Sequence, residues 1–296
     1  MPISKPTPPQ TDNPRVLVFD SGVGGLSICQ EIITASPAIN LDYLSDNAAF
    51  PYGEKTAEQL IERATALLSH CYQLLHADLI VIACNTASTV VLPSLRKILD
   101  IPIVGVVPAI KTAAQISQTK TFALLATPGT VKRSYTQELI QQYAANCKVL
   151  SVGSSELVRH IESYIHGAAI DKDYIASIVA QLCELDEQQK IDTVVLGCTH
   201  FPLIANYFRA IKPDWQWIDS GNAIASRVQS ILADNPNSNK INGSERLHNF
   251  WLTADTTLAA SSNRQDQHQQ RDKLDSYLAH LGFAPSKLLP TMDKQS

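Results

Sequence analysis

Two cysteines stand in matching places. Leu79-Ile80-Val81-Ile82-Ala83 is an apolar run rich in β-branched residues and too short for a helix, and it leads into Cys84-Asn85-Thr86-Ala87-Ser88-Thr89. Val194-Val195-Leu196-Gly197 leads likewise into Cys198-Thr199-His200-Phe201-Pro202. In a parallel sheet, the carboxyl end of a strand opens on the ligand crevice. A lone cysteine there reads as core, since free Cys is among the most buried residue types. Two in the same context need a joint explanation. A thiolate is a nucleophile and a base, and a thiol donates a proton. With one cysteine on each face of a planar intermediate, one removes a proton and the other returns a proton from the opposite side. That inverts a stereocentre, provided the two groups start each turnover in opposite protonation states.

Polar neighbours must tune both thiols. Asp20 is placed to help Cys84. His200, two residues beyond Cys198, is placed to help Cys198, with Glu162 on that same side. Glu162 reads at least as well as a solvated helix charge. Asn85, Thr86, Thr199 and the backbone after each strand are candidates to hold substrate carboxylates. A single nucleophile with a His partner, as in amidases or thiol proteases, leaves the second cysteine unexplained. A metal site of Cys84, Cys198 and His200 lacks the close paired spacings of most zinc sites.

The elements that carry these residues alternate strand and helix, which points to α/β architecture: mostly parallel sheets flanked by helices. Val16 to Asp20 reads as a strand, Ser21-Gly22-Val23-Gly24-Gly25 as a turn and Leu26 to Thr34 as a helix. Strand, Gly-rich turn and helix form an anion-binding layout. Ser27 stands where the dinucleotide fingerprint has its third glycine, and no Gly-Lys-Ser/Thr follows for a phosphate loop. A carboxylate ligand fits better than a nucleotide. Asp20 reads as a helix cap, a strand-end anchor or a partner for a substrate ammonium. Leu41 to Ser45 is the next strand, and its loop carries Pro51-Tyr52-Gly53, where Tyr52 is a candidate ligand contact. A helix from Thr56 to His76 buries Cys71, and another runs from Ser88 to Leu99.

From Pro108 the plan starts again. Phe122 to Ala126 is a strand, Thr127-Pro128-Gly129-Thr130 a turn and Val131 to Tyr143 a helix. A strand at Val149 to Val152 precedes a helix capped by Ser154 or Ser155 that bears Glu162, and a helix from Tyr174 to Leu185 packs Cys183. Two half-chains of one plan imply two pseudo-symmetric domains with the active site in the cleft between them. Residues 15–107 and 222–296 form one domain, residues 108–221 the other, and residues 1–14 a disordered arm. Asn235 to Arg246 reads as a polar loop. Ser261 to Arg271 reads as a loop or frayed helix ahead of a short amphipathic helix from Leu274 to Leu281.

Composition narrows the class. The net charge of −4 offers no basic stripe for nucleic acid and no polybasic tail for a membrane. No apolar run approaches the roughly 18 residues of a membrane span. Six cysteines without a CxxC pair point to reduced thiols in the cytoplasm rather than disulfides or structural zinc.

Five motifs in order, Phe19-Asp20-Ser21-Gly22-Val23-Gly24-Gly25-Leu26, Pro51-Tyr52-Gly53-Glu54-Lys55, Ala83-Cys84-Asn85-Thr86-Ala87, Ala126-Thr127-Pro128-Gly129-Thr130 and Gly197-Cys198-Thr199-His200-Phe201-Pro202-Leu203, closely resemble the glutamate racemase family of the cofactor-independent aspartate/glutamate racemase superfamily. The resemblance implies interconversion of L- and D-glutamate to supply peptidoglycan synthesis, without pyridoxal phosphate or metal. It assigns Cys84 and Cys198 as the acid/base groups and Asp20, Glu162 and His200 as their supporting polar groups. Asp20-Ser21, Tyr52-Gly53, Asn85-Thr86, Thr130 and Thr199-His200 become substrate-binding. Gly153-Ser154-Ser155-Glu156 departs from the Cys-Pro-containing run of many members and is similar to the enteric-type branch, as is the N-terminal extension. Some enzymes of that branch require a UDP-muramoyl-alanine activator. The resemblance leaves monomer or homodimer open. An aspartate racemase or another carboxylate-specific member is the alternative enzyme. A non-catalytic binding protein on the same fold is a further reading, which the presence of both cysteines disfavours.

Overall fold

The computed structural model describes residues 13–186, 190–234, 246–255 and 264–290. In chain order the elements are β1 (Arg15–Asp20), α1 (Leu26–Ala35), β2 (Asn40–Ser45), α2 (Ala57–Leu75), β3 (Leu79–Ile82), α3 (Asn85–Ile98), β4 (Ile103–Gly105), α4 (Ile110–Ile116), β5 (Thr121–Ala126), α5 (Pro128–Lys132) and α6 (Ser134–Tyr143). They continue with β6 (Lys148–Gly153), α7 (Glu156–Ile165), α8 (Lys172–Leu185), β7 (Thr193–Leu196), α9 (Ala205–Ile211), β8 (Gln216–Ile218), α10 (Gly221–Ala233), β9 (His248–Leu252), α11 (Arg264–His280) and β10 (Lys287–Leu288).

Two parallel sheets result. One has the order β10-β9-β2-β1-β3-β4 and the other β6-β5-β7-β8. Taking the strands of each half in turn, both sheets run second, first, third, fourth. This is the two-domain α/β architecture that the repeated plan predicts. The central strands β1, β3, β5 and β7 are near-continuous apolar runs because helices cover both faces of each sheet. Odd and even positions of β1 go to different cores: Val16 and Val18 pack under α1 and α10, while Leu17 and Phe19 pack under α2 and α3. In each sheet the first and third strands are neighbours whose connecting helices leave in opposite directions. The crevice of such a sheet opens there, and both cysteines follow a third strand.

Several boundaries differ from the sequence expectation. The helix after Cys84 begins at Asn85 rather than Ser88, with the Ser88 amide donating to the Cys84 carbonyl at 2.9 Å. The small residues Asn85, Thr86 and Ala87 fit its buried first turn. Pro93 lies within α3. The expected helix Val131–Tyr143 is two helices, broken at Arg133, whose backbone is extended (φ −70°, ψ 140°). The region expected as a frayed segment plus a short helix is one helix from Arg264, with its C-terminal half anchored by buried Leu274 and Leu278. Arg271 fastens this helix to the loops on either side, donating to Asp255 at 2.6 Å and to the Ser286 carbonyl at 2.9 Å. The short strand β10 had no sequence signal. Of the expected disordered arm, residues 1–12 lie outside the described residues, but Pro14 is tied down, its carbonyl accepting from the Asn40 amide at 2.9 Å. Residues 235–245 of the expected polar loop and 261–263 of the polar segment also lie outside them.

Candidate active site

β1 and β3 deliver Asp20 and Cys84 to one side of a narrow pocket, and β7 delivers Cys198, Thr199 and His200 to the other. The pocket encloses about 380 Å³ of empty space, counting its mouth, and its wall also includes Ser21, Tyr52, Gly53, Asn85, Thr86 and Thr130. Eleven of the twelve candidate residues therefore line one cavity. Glu162 is the exception and stands directly behind His200. Both cysteines line the pocket although they are only 6% and 7% exposed. A dry wall of this kind strengthens every charge interaction inside it.

The Cys198 side is a chain of three groups. Cys198 Sγ lies 3.8 Å from His200 Nδ1, and His200 Nε2 lies 2.6 Å from Glu162 Oε2. That Glu162 oxygen also accepts the Val23 amide at 3.0 Å. The carboxylate expected at the Gly-rich turn is thus the protein's own. The turn's glycines follow from the same contact. A Cβ on Gly22 would collide with the Glu162 carboxylate, and one on Gly24 would collide with His200 and Thr199. They serve close approach between the two halves, not a nucleotide phosphate. The motif alone could not show this, because the approaching groups are more than 130 residues away in sequence.

The electrostatics of this chain have a clear sign. Burial works against a charge on His200, but hydrogen bonds to Cys198 and Glu162, with their charges, hold its pKa well above the ordinary imidazole value. Burial tends to raise Glu162, yet the His200 hydrogen bond and charge, the His166 charge and the Val23 amide hold it below the usual carboxylate range. His200 is the imidazolium and Glu162 its counter-ion. The Cys84 side is different. Burial first and the Asp20 charge second push the Cys84 thiol well up, Cys198 adding to them, against the Ala87 amide and the Ser21 hydroxyl. Burial likewise raises Asp20, against the His200 charge, the Thr199 hydroxyl and the Gly22 amide.

Asp20 links the halves as well as facing Cys84. Its Oδ2 accepts from Thr199 Oγ1 at 2.8 Å, and its Oδ1 accepts from Ser21 Oγ and the Gly22 amide, both at 3.2 Å. A second crossing is a cluster of hydroxyls: Thr86 Oγ1 lies 3.3 Å from both Thr127 Oγ1 and Thr130 Oγ1. The Asn85 Oδ1 is buried with no hydrogen-bond partner, on a residue of the pocket wall. Tyr52 departs from the expected loop contact, because its hydroxyl donates to Asp46 Oδ2 at 2.6 Å. Asp46 also takes Arg63 Nε at 2.5 Å and Thr253 Oγ1 at 2.8 Å. Only the Tyr52 ring and backbone remain for the cavity. Pro51, Thr127, Ser155, Val158 and Gly197 complete the wall and were not singled out from sequence as site residues. The repeat of the strand-end plan was the signal that could have found Thr127.

The His200–Glu162 pair makes stability depend on pH. A raised imidazole pKa contributes stability that is full below about 6.5 and is lost as pH rises through the folded value. The lowered Glu162 pKa contributes stability above its ordinary value that is lost as pH falls through the depressed one. Replacing Glu162 with Gln strands a buried imidazolium, which costs about 3 kcal/mol. The melting temperature of Glu162→Gln should therefore fall furthest below the parent between about pH 5 and 6.5. The gap should close as pH rises past the His200 pKa. Calorimetric scans across that range check it, and a gap that ignores pH contradicts the ion pair.

The fold and the cleft define a class: a two-domain α/β enzyme whose parallel sheets turn their carboxyl ends, each with a thiol, into one pocket. The chain belongs to the Asp/Glu/hydantoin racemase family, whose model matches residues 18–228. Glutamate racemase from Shewanella frigidimarina is 50% identical over 226 residues, covering 76% of this chain and 86% of that protein. The one from Proteus mirabilis is 51% identical over 239 residues, covering 80% and 81%. In three dimensions the chain is similar to Escherichia coli glutamate racemase in complex with L-glutamate and the activator UDP-MurNAc-Ala, with a TM-score of 0.83, 39% identity and coverage of 95% and 99%. An isoform from Bacillus anthracis has a TM-score of 0.74 at 25% identity, over 95% and 98% of the two chains. No helix among the described residues is long and apolar enough to cross a membrane, and no cluster of His, Cys, Asp or Glu among them is arranged to hold a metal ion.

Proposed function

We propose that this protein is a glutamate racemase that interconverts L- and D-glutamate by proton transfer at Cα between Cys84 and Cys198, supplying D-glutamate for peptidoglycan. The observation that carries this reading is the asymmetry of the two thiols in one pocket. The His200 imidazolium, backed by Glu162, stands 3.8 Å from the Cys198 sulfur, while burial and Asp20 favour the thiol of Cys84. In one direction of the reaction Cys198 is the base and Cys84 the acid. The Cys198 thiolate takes the Cα proton, and the Cys84 S–H bond gives its proton to the opposite face. The negative charge ends on Cys84, so the reverse reaction starts from the mirror assignment.

The remaining groups have roles that their positions support. The unpaired Asn85 Oδ1 and the Asp20 carboxyl meet the substrate ammonium, which lowers the barrier to losing the Cα proton. Hydroxyls of Ser21, Thr86, Thr130 and Thr199, with the backbone of Tyr52-Gly53, hold the carboxylates. Two thiols complete the proton transfers without pyridoxal phosphate or metal, and no lysine stands among the pocket-lining residues. The likeness to the Escherichia coli enzyme extends the proposal to a UDP-MurNAc-alanine activator and a cytoplasmic location. It also supports a division into residues 15–107 with 222–296, which hold the larger sheet, and residues 108–221, which hold the smaller.

The deciding experiment incubates the purified, cofactor-free chain with L-glutamate, with L-aspartate, and with each plus the muramoyl precursor. D-glutamate should accumulate from L-glutamate, faster with the precursor, and D-aspartate should not. Racemisation of aspartate instead would move the protein to the alternative enzyme, and no racemisation under any condition would refute the catalytic reading.

A further inference from the structure

Asp46 is a carboxylate with no access to water. It follows the last residue of β2, is 0% exposed, and its amide donates to the Asp20 carbonyl at 2.8 Å, beside the pocket. Four hydrogen bonds meet the carboxylate from three elements. Oδ1 accepts from Arg63 Nη2 at 2.6 Å and from Thr253 Oγ1 at 2.8 Å. Oδ2 accepts from Arg63 Nε at 2.5 Å and from the Tyr52 hydroxyl at 2.6 Å. Among the described residues Arg63 is the cation paired with it. The guanidinium fork spans both oxygens, the geometry that a carboxylate accepts best. A buried carboxylate that loses such a partner becomes an uncompensated charge, and its remaining contacts rearrange with it.

One of those contacts carries part of the pocket wall. Tyr52 and Gly53 line the active-site pocket. The Tyr52 ring stands edge-on to Phe19, with centroids 6.0 Å apart, and its hydroxyl is held from behind by Asp46. On its other side the same segment meets the opposite half of the molecule. A Cβ on Gly53 would lie 3.3 Å from Thr127, and one on Gly129 would lie 3.0 Å from the Gly53 carbonyl oxygen. The next residue, Glu54, pairs with Arg159 of α7. The wall is thus set between a close contact across the cleft and an anchor at Asp46. Arg63 does not line this pocket. With Thr253 it lines a separate cavity between α2 and Leu289-Pro290, so its influence on a bound substrate must pass through Asp46.

We propose that Arg63 is a positioning residue for the active site: through the Asp46 carboxylate and the Tyr52 hydroxyl it sets where the Tyr52-Gly53 backbone stands to receive a substrate carboxylate. The consequence for substrate rests on the glutamate racemase reading above; the anchoring of the segment does not. Arginine is required because both oxygens must be held at once. A lysine in its place brings the charge as a point and lacks the planar fork.

The first arm of the test is kinetic and uses the full-length chain. Arg63→Met should raise the glutamate KM about tenfold and leave kcat within about threefold, because a carboxylate contact holds substrate and transition state alike. A role in stability alone would shrink the active fraction, lowering kcat at an unchanged KM. Tyr52→Phe removes the link and should raise KM to a similar degree. The double variant should be no worse than the larger single change, since the two residues act along one path. Arg63→Lys should fall between parent and Arg63→Met, and it stands in for the latter if circular dichroism shows that Arg63→Met has not folded. The second arm needs no turnover. By hydrogen–deuterium exchange and mass spectrometry, residues 46–55 should exchange about tenfold faster in Arg63→Met, while peptides carrying Cys84 and Cys198 keep the parent rate. An unchanged KM in a folded variant overturns the proposal. So do single effects on KM that multiply in the double variant, and so does faster exchange shared by the whole chain. If the parent racemised nothing, the functional reading would fail, and the exchange arm would still decide whether Arg63 anchors the segment.

Discussion

Cys84→Ala and Cys198→Ala should each lose racemisation by about 10³-fold or more, at the upper part of the range for a single acid/base group. The expectation is large because each sulfur is needed once per turnover in either direction. Removing the acid leaves a carbanion with no donor on the product face; removing the base leaves the Cα proton in place. The fold should survive both changes. Each cysteine sits beyond the last strand residue, at the edge of a core cluster where it also lines the pocket, so alanine removes little core packing. Assays in both directions, with circular dichroism as a control, check the prediction. Near-normal turnover in either variant would remove that cysteine from the acid/base roles. The double variant should be little worse than each single one, since residues that act as a unit are not additive.

In D2O, D-glutamate formed early from L-glutamate should carry deuterium at Cα almost completely, while the remaining L-glutamate stays protonated. The cysteine that delivers the new hydrogen exchanged with solvent before substrate bound, and the one that removed the old hydrogen faces the opposite side. The buried walls and the cross-cleft bonds Thr199–Asp20 and Thr86–Thr130 keep bulk water from the intermediate. A single base serving both faces would return some original proton to the product and wash deuterium into the substrate. Proton NMR of the two enantiomers at low conversion separates these outcomes. Extensive label in recovered L-glutamate would eliminate the two-thiol route.

The parts of the site that stood out in the sequence are those whose signal is local. A five-residue apolar run followed by Cys84 is a strand end wherever it occurs in an α/β chain, and its echo at Cys198 is visible without coordinates. The alternation of strands and helices determines the sheet type for the same reason. Helix limits were less legible. Asn85 and Thr86 are poor helix formers individually, and burial against the sheet makes them, with Ala87, the first turn of α3. The polar stretch before Leu274 becomes helix because two buried leucines and the Arg271 contacts hold one end, which propensity does not register.

By itself the sequence determined the class of fold, the repeat that sets two cysteines at equivalent strand ends, and the polar residues beside each, because all of these depend on spacing within a few residues. Tertiary structure alone decided which groups meet. Glu162 read equally well as a solvated charge until the packing of α7 placed it between Val23 and His200. The glycines of the first turn read as an anion loop until the opposite half was seen pressed against them. The Tyr52 hydroxyl had no fixed partner until Asp46 was found to hold it, and Arg133 read as one more helical residue until its extended backbone was seen to part α5 from α6. In each case the deciding neighbour lies on another element, and a charge or a hydroxyl has no fixed role until that neighbour and the surrounding burial set its protonation and its partner.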